Sequence, residues 1–237
     1  MAKAVNKDIA VCWLRRDLRL FDNTALYHAL NSGLPVQVIF IFDPEILNTL
    51  PYKKDRRVAF IHQELEKINS KLSEFGASLL VLHEVPKKAF EKLISEYPVR
   101  EVYANHDYEP YARKRDKEVK DLLNENNVGF TTYKDQVMFE KAEVMKPDGT
   151  PYTVFTPYSK KWKENLYRQS VPEFPSETLL SNLLKKANKA IPSLEEIGFQ
   201  TVELHIPEAD LSEGLIKDYD KKRDLPYVEG TSRAGIH

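Results

Sequence analysis

Five short apolar runs rich in β-branched and aromatic residues, separated by helical patterns, restrict this chain more than any other feature. The runs are Ile9 to Leu14, Val36 to Phe42, Leu79 to Leu82, Glu101 to Ala104 and Phe130 to Tyr133. Each has the length of a strand and is too short for a helix. After the second run, Val58, Ile61, Leu65, Ile68, Leu72 and Phe75 recur in steps of three and four, which puts them on one stripe of a helix. Further helices are expected from about Asn23 to Ser32, ended by Gly33, from Pro86 to Glu96 and from Pro110 to Asn126. Pro86 and Pro110 suit the first turn, where a missing N–H loses no partner. Strands alternating with helices require right-handed crossovers, and these build a parallel sheet covered on both faces. The expected fold is therefore α/β, a doubly wound five-stranded parallel sheet of Rossmann-like type. Ligands of such sheets sit beyond the carboxyl ends of the strands, so the loops after Leu14, Phe42 and Ala104 are the first places to look.

Beyond about Lys134 this rhythm stops. Pro147, Asp148, Gly149 and Pro151 make a turn, and prolines at 157, 172, 175, 192 and 207 punctuate an irregular stretch. It reads as a linker wrapped on the surface, with short helices from Ser159 to Arg168 and from Glu177 to Ala187. A new helical region opens at Ile206-Pro207-Glu208-Ala209 and reaches about Asp220. The expected division is an α/β domain over 1–134, an interdomain linker over 135–205, and the start of a helical domain over 206–237.

Composition narrows the function classes. A formal net charge of -1 gives the whole molecule no attraction for phosphate, so contact with nucleic acid needs a local basic patch. The single cysteine, Cys12, excludes an intrachain disulfide and a multi-cysteine metal centre, and fits a reducing compartment. It sits in an apolar run and reads as a small buried hydrophobe. No run of about 18 apolar residues and no signal-peptide core is present, so no membrane is expected and the cytoplasm is the expected compartment. No glycine-rich dinucleotide fingerprint follows the first run, and no phosphate-binding loop or His-Glu-x-x-His metal motif occurs.

Charged groups do fall at the predicted carboxyl edge. Arg15, Arg16 and Asp17 follow the first strand, either as an ion-paired loop bracing the sheet or as ligand contacts. Asp22 or Asn23 suits a helix N-cap. Asp43 precedes Pro44 as a turn residue or a polar group at the edge. His106 reads as an edge histidine bound to water. The mixed charges from Arg113 to Lys120 read as a solvated helix face.

Taken together, Cys12-Trp13-Leu14-Arg15-Arg16-Asp17-Leu18-Arg19-Leu20-Phe21-Asp22-Asn23-Thr24-Ala25-Leu26 and the segment from Tyr219 through Leu225-Pro226-Tyr227 to Gly230-Thr231-Ser232-Arg233 resemble the photolyase/cryptochrome family, most closely its microbial class I cyclobutane-dimer photolyases. The resemblance implies that the first motif ends strand one of an antenna domain and the second opens the flavin pocket of a helical domain. It implies an antenna chromophore near Arg16, Asp17, Phe40, Phe42, Asp43, Arg57, Asp107 and Glu109, and FAD contacts from Tyr219, Thr231, Ser232 and Arg233. Folate-using relatives carry an Asn-Glu pair where this chain has Tyr111 and Ala112, so a deazaflavin-type antenna is favoured over folate. The aromatic run from Tyr152 to Trp162 is similar to the segment that joins the two domains in the family. The implied activity of the intact protein is light-driven repair of cyclobutane pyrimidine dimers in DNA, by a monomer; this chain alone is expected to be inactive, with no catalytic residue assigned. A cryptochrome-like blue-light photoreceptor and a stand-alone α/β module for a planar nucleotide-like ligand are the alternatives.

Overall fold

Every residue of β1 (Ile9–Leu14) and β2 (Val36–Phe42) is buried, as expected of strands covered on both faces. The computed structural model describes residues 7–186, 190–204, 206, 219–222, 224, 225 and 227. Three more strands complete the sheet, β3 (Leu80–His83), β4 (Val99–Asn105) and β5 (Gly129–Tyr133). All pairings are parallel, in the order β3-β2-β1-β4-β5. Cys12 of β1 lies opposite Val38 on one side and Tyr103 on the other. The order runs outward in both directions from β1, so the connections leaving β1 and β4 diverge between those two strands.

Alternation along β1 divides the core. Ala10, Cys12 and Leu14 join a cluster with Leu26, Phe40, Leu65 and Leu72, under α1 (Thr24–Leu30) and α3 (Arg56–Ser73). Ile9, Val11 and Trp13 join Ile39, Phe90, Leu93 and Leu123 under α4 (Pro86–Glu96) and α5 (Pro110–Glu125). The helix starts follow from their caps. Asn23 Oδ1 accepts from Leu26 N at 3.1 Å, Asp43 caps the one-turn α2 (Pro44–Leu47), and Asp55 caps α3 by accepting from Arg57 N at 2.8 Å. Gly33, at φ +80°, turns the chain out of α1 in a conformation that side chains with a Cβ rarely adopt.

Two expectations for the later segment change. The helix expected from Ser159 begins earlier, as α6 (Phe155–Tyr167), with Pro157 in its first turn, where no N–H is required. The helix expected from Glu177 to Ala187 is instead a 3-10 stretch over Ser176–Asn182, after which the chain extends. Leu183 forms a parallel bridge to Val36, and Leu184 N donates to Val36 O at 2.8 Å. Residue 187 lies outside the described residues. Nor does this stretch only wrap the surface, since Leu180, Leu183, Leu194, Ile197 and Phe199 are buried in the cluster that holds α1 and α3. The helical region expected from Ile206 to about Asp220 falls mostly outside the described residues. Among the described residues no helix is long and apolar enough to cross a membrane, and no group of His, Cys, Asp and Glu could hold a metal.

Candidate functional site

Beyond the carboxyl ends of β2, β1 and β4 lies a cavity of about 200 Å³, mostly apolar inside and charged at its rim. Trp13 is its floor. The indole is 2% exposed, meets Phe90 edge to face at 5.1 Å, and carries the Arg15 and Arg115 guanidiniums over its ring at 5.0 and 4.9 Å. Asp116 anchors both cations, Arg15 Nη1 at 2.5 Å and Arg115 Nη2 at 2.9 Å. Arg15 Nη2 is buried without a hydrogen-bond partner. A buried unpaired donor is costly, so a carbonyl or anionic oxygen on a bound molecule would meet an unmet demand there. Phe40 and Phe42 form a wall, their rings edge to face at 5.0 Å. Across the opening, the Tyr111 hydroxyl donates to Asp43 Oδ2. Burial and the Asp43 carboxylate push the Tyr111 phenol well above its ordinary range, so it remains a donor.

Six of the eight residues expected to contact an antenna line this cavity: Arg16, Phe40, Phe42, Asp43, Asp107 and Glu109. Arg16 lies 3.7 Å from both Asp107 and Glu109, with its side chain 60% exposed; such loose pairs contribute little and leave the arm free to close on a ligand. Asp17 and Arg57 are placed elsewhere. Asp17 is buried and accepts from Arg15 N at 2.8 Å, Asn23 Nδ2 at 3.1 Å and Asn105 Nδ2 at 2.6 Å, so it braces the loop that presents its neighbours. Arg57 stays at the start of α3, ion-paired to Asp55 at 2.6 Å and largely in solvent. Of the residues expected to contact FAD, Tyr219 is exposed, while Thr231, Ser232 and Arg233 lie outside the described residues.

His106 is not left to water: its Nδ1 lies 2.8 Å from Glu140, which also accepts from the Tyr108 hydroxyl at 2.7 Å. These contacts tie the β4–α5 loop, which carries Asp107 and Glu109, to the chain beyond β5. Burial opposes ionisation of Glu140, but hydrogen bonds from Tyr108, His106 and Lys141 outweigh it and hold the carboxyl at about 2. A depressed carboxylate stabilises the fold above its unfolded value near 4.5, and that contribution fades as pH falls toward 2. The melting temperature of Glu140→Gln should therefore lie below wild type at about pH 7, and the gap should close between pH 4.5 and 2. A gap independent of pH would refute this role. Cys12 is buried, and burial with the Asp17 and Asp135 carboxylates pushes its thiol well up, so it is an inert core residue.

Three contributors escaped the sequence reading. Arg115 was placed on a solvated face but is 8% exposed, and the signal was available, because Ala112, Arg115, Val119 and Leu122 share one helical stripe. Trp13 carries in the sequence only the signals of a buried strand and of the family motif, and neither marks it as the floor of a cavity. Asn105 had no local signal, since its partners Asp17, Asn23 and Ala25 come from the distant β1–α1 connection.

A family model described as DNA photolyase matches residues 10–177. The chain is 29% identical over 245 residues to the deoxyribodipyrimidine photo-lyase of Halobacterium salinarum, covering 95% of this chain and 50% of that protein. It spans about half the length of the curated photo-lyases it matches. Among solved structures, a bacterial class III photolyase from Agrobacterium tumefaciens aligns with TM-score 0.66 at 23% identity, over 94% of this chain and 42% of its own. An archaeal photolyase from Sulfolobus tokodaii, solved with two FAD molecules, aligns with TM-score 0.58 at 25% identity, over 77% of this chain and 42% of its own.

Proposed function

Because the chain belongs to the DNA photolyase family, we propose that it is the antenna-bearing half of a deoxyribodipyrimidine photolyase, and that the cavity over Trp13 holds a planar, deazaflavin-type chromophore. One observation carries this reading. At the point where the connections of the sheet diverge, an apolar slot walled by Phe40 and Phe42 adjoins the unpartnered donor Arg15 Nη2 and a rim of Arg16, Asp107 and Glu109. At about 200 Å³ the slot is smaller than the roughly 300–1,000 Å³ of most ligand sites, which suits a fused ring inside and its substituents outside. Tyr111, locked to Asp43, occupies the rim where folate-using relatives present Asn-Glu, and this supports a deazaflavin over folate. When bound, the chromophore supplies absorption of near-ultraviolet or blue light for transfer to a reduced flavin. The residues of this chain orient the ring and keep water from its face.

The remaining roles belong to the intact protein: FAD, with Tyr219, Thr231, Ser232 and Arg233 contributing from this chain, and DNA containing pyrimidine dimers as substrate for a cytoplasmic, monomeric enzyme. Purified, this chain should repair no dimers in light. The direct test is titration with a synthetic deazaflavin and with methenyltetrahydrofolate, followed by fluorescence polarisation. The deazaflavin should saturate, folate should bind at least about tenfold more weakly, and Arg16→Ala should cost about tenfold through its lost charged contact. Tighter folate binding would overturn the choice of antenna, and binding of neither would overturn the assignment of the cavity.

A further inference from the structure

A second hollow, of about 590 Å³, opens between α1, the end of β5 and residues 169–174. Its size is that of small-molecule sites, which run from roughly 300 to 1,000 Å³. Three rings build it. His28 and Tyr133 stack in parallel at 4.2 Å, Phe174 leans on His28 at 5.7 Å, and Val171 and Pro172 add apolar lining. Such a surface accepts a flat heterocycle by stacking.

The polar demand of the hollow is specific. Asp135, whose side chain is 1% exposed, lies between this hollow and a smaller one beside Arg15, Arg16 and Asp17, and lines both. Asp135 Oδ1 is fully used, accepting from Arg19 Nη2 at 2.8 Å and from the Thr24 amide and hydroxyl at 3.1 Å each. Asp135 Oδ2 is buried and has no partner. One free carboxylate oxygen calls for one N–H donor. A guanine-like edge needs both oxygens for its paired N–H groups, whereas a single amino group needs one. The nearby cations are already committed, Arg19 to Asp135 and Lys134 to Glu143, so no anionic group is required of the ligand.

We propose that this hollow is a second binding site, for an amino-substituted planar heterocycle of nucleoside size that stacks against the His28–Tyr133 pair and donates its amino N–H to Asp135 Oδ2. The site is separate from the Trp13 cavity and does not rest on the chromophore reading. Calorimetric titration of the purified chain with adenosine, and with purine riboside, which lacks the amino group, tests it. Adenosine should bind saturably, and purine riboside at least about tenfold more weakly, the loss of a hydrogen bond to a charged acceptor. Asp135→Asn should weaken adenosine to a similar degree. His28→Ala, a partly exposed position whose replacement leaves the core intact, should weaken it about tenfold through lost stacking. Glu109→Gln changes a residue that lines only the Trp13 cavity and should leave adenosine binding unchanged. Equal binding of the two nucleosides, indifference to His28→Ala, loss with Glu109→Gln, or no saturation at millimolar adenosine would each overturn the proposal. The deazaflavin titration is read separately, so failure of one site leaves the other standing.

Discussion

Trp13→Ala is expected to lower the unfolding free energy by about 3–5 kcal/mol, enough to consume much of the roughly 5–15 kcal/mol that holds an ordinary domain together. The indole is 2% exposed and packs against Phe90, so truncation opens a large hole between β1 and α4. It also removes the surface on which Arg15 and Arg115 lie, leaving two buried guanidiniums over a void. Urea unfolding followed by circular dichroism measures the loss. Trp13→Phe should recover more than half of it, because a smaller ring still fills part of the space and presents a face to both cations. A loss below about 1 kcal/mol for the alanine variant would mean that the ring is not the floor of the cavity.

Asn105→Ala is expected to cost about 2–3 kcal/mol although the residue does not line the Trp13 cavity. From the end of β4 it donates to Asp17 Oδ2 at 2.6 Å and to Asn23 Oδ1 at 3.0 Å, and it accepts from Ala25 N at 2.9 Å. Its removal leaves the Ala25 amide buried without an acceptor and takes one donor from the Asp17 carboxylate. Asp17→Ala should cost at least as much, because it strips the acceptor from Arg15 N, Asn23 and Asn105 together. The double variant should be less destabilised than the sum of the two by about 1 kcal/mol or more, since both changes break one network. Additive losses would show that the two side chains act independently. Either single change should also weaken chromophore binding, by loosening the loop that carries Arg15 and Arg16.

Local signals account for much of this fold. Runs of fully buried strand residues announced a sheet covered on both faces, and the six-residue apolar stripe ending at Phe75 announced α3. Proline at first turns located α4 and α5, and Asn23 ahead of a helical pattern located α1 through its cap. The β3 and β4 boundaries moved by one or two residues because strand ends depend on the neighbour that pairs with them, and one segment contains no record of its neighbour. The 3-10 stretch at Ser176 was misread for the same reason: its helical pattern gives way where Leu183 meets Val36, a partner far back in the chain.

By itself, then, the sequence determined the layered α/β class, the cap ahead of α1, the proline first turns of α4 and α5, and the motif around Arg15-Arg16-Asp17 by which the family is recognised. These depend on periodicities and on contacts within a few residues. Tertiary structure alone decided that β1 lies between β2 and β4, and that ordering brings Phe40, Phe42, Arg16, Asp107 and Glu109 to one opening. It turned Asp17 inward to Asn105 and kept Arg57 with Asp55. It buried Arg115 over Trp13, a position that charge alone marks as solvent-exposed. The reason is that a charged side chain lowers its free energy either in water or beside a fixed counter-charge and an aromatic face, and only the assembled fold supplies the second choice.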